Sequence, residues 1–156
     1  MSSRRSQITM NEAEVRAYLE SQQILNVATI GPSGHPHIVA MWYAFIDHQL
    51  AFWTFAKSQK ILNLRRDPKM SGLVESGSGS YNELRGVELV GNGKIVDDYE
   101  HVLAIGKAVG QRYNGDAALS DAALPFIEAQ ARKRLGVVFE VSSVVSWDHT
   151  KLGGGY

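Results

Sequence analysis

Apolar positions along this chain recur mostly at strand spacing, broken by a few stretches with helical spacing. Thr9-Met10-Asn11-Glu12 sets a hydroxyl three residues ahead of a carboxylate and fits a capping box. The helix it announces runs to about residue 21 and buries Val15, Tyr18 and Leu19. Residues 24–30 then read as a short apolar strand, followed by strong turn chemistry in Gly31-Pro32-Ser33-Gly34. Residues 37–46 read as one long strand, Asp47-His48 as a break, and residues 50–55 as its hairpin partner.

Helical spacing returns over residues 58–66, with Ser58 as N-cap and Asp67-Pro68 as terminator. Residues 70–75 form another short strand, and Ser76-Gly77-Ser78-Gly79-Ser80 a loop. Residues 84–96 read as a long strand in which Val87, Leu89 and Ile95 share a face. The glycines of Gly91-Asn92-Gly93 predict a bulge or sharp bend there. Asp97-Asp98 caps a helix to about Tyr113, stopped by Asn114-Gly115. A further helix is expected over residues 125–135 and a last strand over 136–147. Six strands joined largely by hairpins, with helices attached, predict a mainly β protein built on an antiparallel barrel. Strands do not alternate with long helices, so a Rossmann sheet is disfavoured.

The length, 156 residues, suits one domain, expected over residues 9–152 between tails at 1–8 and 153–156. Sixteen basic residues balance 16 acidic ones, so the broad positive field of a nucleic-acid binder is missing. The chain has no cysteine, which excludes disulfides, thiolate metal sites and a cysteine nucleophile. No apolar run is long enough for a membrane-spanning helix, and the start does not read as a secretory signal, so the cytosol is the expected location.

The most informative segment is Phe52-Trp53-Thr54-Phe55-Ala56-Lys57-Ser58-Gln59-Lys60, where a strand passes tightly into a helix. Helix N-termini carry unpaired amides and partial positive charge, and Ser58, Lys57 and Lys60 would complete a phosphate site. The same residues also fit a capped helix with solvated lysines. Val39, Ala40, Met41 and Trp42, with Trp53 and Thr54 on a partner strand, could make an apolar wall for a planar heterocycle, or simply a barrel core. His35-Pro36-His37 offers two imidazoles without a third ligand, so no metal site is expected. Trp147-Asp148-His149 lacks an accompanying serine nucleophile motif, and no helix follows Gly91-Asn92-Gly93 as a dinucleotide fingerprint requires.

Trp53-Thr54 followed by Ser58-Gln59-Lys60, then Asn63-Leu64-Arg65-Arg66-Asp67-Pro68, resembles the pyridoxamine-phosphate-oxidase-like flavin-binding split barrels. Gly31-Pro32, Gly34, Pro36, Met41-Trp42-Tyr43, Ser146-Trp147-Asp148-His149 and Lys151-Leu152-Gly153 are similar to the deazaflavin-using branch. The resemblance implies a six-stranded antiparallel split β-barrel and an oxidoreductase passing hydride between coenzyme F420 and a small organic acceptor. FMN is the alternative cofactor, and a non-catalytic flavin, deazaflavin or haem carrier the alternative role. It further implies a homodimer whose shared sites draw on Trp147 and, more loosely, Arg85-Gly86. One departure is Gln59, where the flavin-phosphate oxidases place arginine; Lys57 could replace that charge, with Arg65 and Arg66 further along the groove. Tyr43, His37 and Tyr81 are the candidate proton donors.

Overall fold

A computed structural model describes residues 3–153. The elements are α1 (Arg4–Ile8), α2 (Glu12–Ser21), β1 (Leu25–Ile30), β2 (Pro36–Met41), β3 (Ala44–Ile46), β4 (Gln49–Phe55) and α3 (Gln59–Arg66). They continue with β5 (Lys69–Ser76), β6 (Arg85–Val96), α4 (Tyr99–Asn114), α5 (Leu124–Ala131) and β7 (Arg134–Asp148). The segment expected as an N-terminal tail carries α1, which lies against β7 and the 3-10 turn at His149–Leu152. Met1, Ser2 and the tail beyond Gly153 lie outside the described residues.

The capping box stands two residues later than the sequence pattern suggests. Asn11 caps α2 by accepting from the Glu14 amide, and the Glu14 carboxylate accepts from the Asn11 amide. The reason is tertiary. Met10 is buried and its amide donates to Ser146 Oγ on β7, so the chain stays extended until residue 11. Thr9 instead closes α1, its hydroxyl donating to the Arg5 carbonyl.

All seven strands form one antiparallel sheet in the order β2-β1-β5-β6-β7-β4-β3. Its edge strands, β2 and β3, are consecutive in the chain and separated only by Trp42 and Tyr43. Two residues cannot cross a flat seven-stranded sheet, so the sheet curls back on itself into a split barrel. The count is seven rather than six because the run 37–46 divides into β2 and β3 on opposite edges. Tyr43 forces that division. It is fully enclosed, its hydroxyl donates to the carbonyls of Leu19 and Gln22, and its amide donates to the Tyr113 hydroxyl. The β3–β4 hairpin turns through Asp47 and His48, both at positive φ, as tight antiparallel turns require.

Inside the curl, alternate residues from the strands meet: Leu25, Val27, Phe52, Val74, Val87, Leu89, Val137 and Phe139, closed by Ile61 and Leu64 of α3. The expected bend in β6 is a register shift between Val90 and Gly91. A Cβ on Gly91 would lie 2.0 Å from the Glu140 carbonyl oxygen, so only glycine lets the strands approach there. α5 ends sooner than expected, at Ala131, because Arg134 and Leu135 already pair with Phe55 and Thr54 of β4. On the outside, α4 and α5 cover Ala51, Trp53 and Val138. No helix among the described residues is long and apolar enough to cross a membrane.

Candidate functional site

The β4–α3 corner is built on one buried cation. The Lys60 side chain turns back under the helix, leaving the residue 8% exposed, and Nζ donates to Thr54 Oγ1 at 3.0 Å. Thr54 Oγ1 in turn donates to Ser58 Oγ at 3.3 Å. Among the described residues Lys60 has no acidic partner. Burial, and secondarily the nearby Arg134, push its pKa below the ordinary lysine value. A buried ammonium held by one hydroxyl is electrostatically unsatisfied and favours an arriving anion.

Ser58 occupies the N-cap of α3 with its side chain engaged by Thr54 rather than by the helix, so no side chain caps the first amides. Lys57 is exposed and lines a cavity of about 610 Å³ with Phe55, Ala56, Ser58 and Lys133. Thr54, Lys57, Ser58 and Lys60 are therefore one neighbourhood. The helix is pinned from behind by Asn63, which is fully buried. Its amide donates to Thr29 Oγ1 at 3.0 Å, and its carbonyl oxygen accepts from Gln59 and Arg66. Gln59 is thus turned along the helix, away from the corner. Arg66 is spent on the Ile30 carbonyl as well as Asn63, and Arg65 is exposed.

Beside the corner, across Phe55, lies a cleft of about 940 Å³ between β4 and the helices α4 and α5. Met41, Trp42 and Trp53 line it, as the sequence reading expects of an apolar wall. Val39 and Ala40 do not. The Val39 side chain packs into the barrel core and Ala40 is exposed. Their strand is nevertheless a sheet edge, and edge strands leave alternate backbone groups unpaired. Trp42 is held by Tyr113 of α4, the rings stacked 4.3 Å apart and 5° from parallel. Trp53 lies flat against Gly106, where a Cβ would sit 2.5 Å from its ring. Gly106→Val is expected to lever Trp53 out of the wall at a cost of about 1–3 kcal/mol. Denaturant unfolding measures the cost, and a shift in tryptophan emission reports the ring's displacement.

The α4 and α5 side of the cleft, with Gly106, Phe126, Ile127, Gln130 and Arg134, is absent from the sequence reading. Arg134 stacks over Phe55 and Trp53, 4.4 and 4.9 Å from their centroids. No local pattern reveals this, because the contact comes from strand pairing between distant segments.

The candidate proton donors do not converge on the cleft. Burial pushes the Tyr43 phenol up to about 12, and its hydroxyl donates to two backbone carbonyls, so it acts as a structural pin. His37 and Tyr81 line neither cavity. Asp148 is committed to Arg85 Nε at 3.2 Å and to Thr150. Trp147 covers Gly86 and lies on the outer sheet face, off the corner and the cleft within one chain.

A curled antiparallel barrel with a cationic strand-to-helix corner beside an aromatic cleft defines a class, the flavin-type split barrels. The pyridoxamine 5'-phosphate oxidase model matches residues 12–148, and the chain belongs to that family. Conserved hypothetical protein Rv2991 from Mycobacterium tuberculosis is a similar solved structure, 42% identical with a TM-score of 0.91, over 99% of this chain and 95% of that one. An F420 reductase is 26% identical with a TM-score of 0.63, over 83% and 94%. The heme storage protein HutZ from Vibrio cholerae shares the fold at 13% identity and a TM-score of 0.66, over 86% and 94%. No curated protein matches the sequence.

Proposed function

We propose that this protein is an oxidoreductase that uses coenzyme F420, and that it works as a homodimer in the cytoplasm. The observation that carries the reading is the uncompensated Lys60, fixed between Thr54 and Ser58 at an uncapped helix start and next to an aromatic cleft. The 26% identity to an F420 reductase supports the choice of coenzyme. Lys60, Ser58 and the first amides of α3 would hold the phosphate, with Lys57 and Lys133 at the rim. Met41, Trp42 and Trp53 would supply the flat apolar surface for the ring. When bound, the deazaflavin supplies the hydride. The protein's own part is to orient the ring, keep water from its buried face and hold the anion. FMN is the competing coenzyme, since its compact phosphate also suits a corner with one buried cation; the neutral Gln59, where flavin-phosphate oxidases place arginine, weighs against it.

Titrating the protein with F420 and with FMN separates the two. Tighter binding of F420, followed by oxidation of reduced F420 with quinone or enone acceptors, supports the proposal. Preference for FMN, or binding of both without turnover across such a panel, removes it in favour of a flavin enzyme or a carrier.

The proposed dimer face is the outer side of β2, β1, β5, β6 and β7. Cross-strand register puts Ile38, Ala28, Ser71, Val90 and Ser143 in one outward row. Ile38 is 67% exposed and Val90 37% exposed, with Trp147 and Leu73 beside them. An apolar sheet face without a covering helix suits a second copy of the same face. Val90→Asp is expected to yield monomers in analytical ultracentrifugation while leaving circular dichroism unchanged.

A further inference from the structure

The cleft beside the corner holds a cation, Arg134, that nothing in the coenzyme assignment uses. Arg134 stands on β7 and reaches over the rings of Phe55 and Trp53. Among the described residues its hydrogen bonding is limited to a long contact, Nε to Gln130 Oε1 at 3.5 Å, and it has no acidic partner. A guanidinium whose central carbon lies 4.4 and 4.9 Å from two ring centroids is braced by them, and its terminal N–H groups, which make no hydrogen bond among the described residues, are open to a bidentate acceptor. Around it the cleft wall is apolar: Trp53 and Phe55 on the strand, Phe126 and Ile127 on α5, and the bare backbone of Gly106 and Gly110 on α4. Phe126 is 68% exposed, so a large apolar ring already stands at this wall without a partner.

The two cations differ in setting. Lys60 sits among hydroxyls at a helix start, which suits a phosphate with several acceptor oxygens. Arg134 sits among rings, with the neutral Gln130 as its hydrogen-bond partner among the described residues, which suits a single planar anion attached to an apolar body. We infer that the α5 side of the cleft is the acceptor subsite, that it takes a planar quinone carrying a carboxylate, and that Arg134 grips the carboxylate; the quinone takes up the hydride and a proton from solvent and leaves as the hydroquinone, with the coenzyme oxidised. The ring of such an acceptor would lie along Phe126 and Ile127, with its carboxylate in the plane of the guanidinium. This rests on Met41, Trp42 and Trp53 being the seat of the coenzyme ring.

The test uses naphthoate and its neutral isostere naphthamide, followed by isothermal titration and by quenching of tryptophan emission. The native protein is expected to bind naphthoate at least about tenfold more tightly than naphthamide, the usual worth of a charge-assisted bidentate pair. Arg134→Gln is expected to erase that preference while naphthamide affinity stays put, which shows the cleft is intact. Arg134→Lys is expected to keep only part of it, because an ammonium cannot match both oxygens. Protein saturated with F420 is expected still to take up naphthoate. Equal affinity for the two probes, or a preference that survives Arg134→Gln, overturns the inference while leaving the coenzyme assignment standing. Exclusion of naphthoate by F420 also overturns it, because Arg134 would then serve the coenzyme. Failure of F420 to bind at all removes the coenzyme reading and the acceptor role with it.

Discussion

Lys60→Ala is expected to weaken F420 binding about ten- to a hundredfold, with little loss of stability. A hydrogen bond from a charged donor to an anion contributes about 1.5–3 kcal/mol, which corresponds to that range. Stability should hold because the cation costs free energy in the empty protein. It is buried, has a single hydroxyl partner and faces Arg134. The pH dependence follows from the same setting. A lysine whose folded pKa is lowered binds fewer protons folded than unfolded, through the window below its ordinary value of about 10.4. The coenzyme-free protein therefore gains stability as pH rises through that window. Coenzyme affinity falls over the same window, because the proton that attracts the phosphate is leaving. Titrations from neutral to alkaline pH, beside thermal melts of the free protein, should show the two trends running in opposite directions. Parallel trends, or affinity unaffected by the alanine, would remove Lys60 from the site.

Phe52→Ala carries the largest expected effect on the fold, about 3–5 kcal/mol by denaturant unfolding. A domain of this size has roughly 5–15 kcal/mol in total, so the variant should lie close to its unfolding threshold. Phe52 is fully enclosed in the barrel on β4, paired with Val137 of β7. Its neighbour Trp53 points the other way and packs against α4. Substitution of Trp53 should therefore fall mainly on ring binding, and that of Phe52 on stability. A Phe52→Ala protein as stable as the native one would mean that the curled interior is not the main core.

The strand-to-helix corner was legible because its parts are close in sequence. A strand end, a tight link, a capping serine and a lysine two positions on form a local phrase. What could not be read was that Lys60 would be buried rather than solvated. That depends on Thr54 and on the register of β4 against β7. Gln59 illustrates the limit well. Its replacement of an arginine stands out in the sequence, but its side chain is held by Asn63, and the uncommitted guanidinium nearby belongs to Arg134. Trp42 and Tyr43 show the same limit in the fold. A continuous β-prone run has no internal signal for division, and only the pocket enclosing Tyr43 and the Tyr113 hydroxyl below its amide supply one.

Local sequence specified most of the elements and their boundaries, the glycine bend in β6 and the tight strand-to-helix passage at Ser58. Each of these rests on periodicity, caps and turn residues acting over a few positions. Long-range packing set which strands are edges, where the first long helix starts, that Lys60 is buried without an acidic partner among the described residues, and that Arg134 faces the aromatic cleft. Those features arise from contacts between segments far apart in the chain, where packing and hydrogen bonding outweigh local preference.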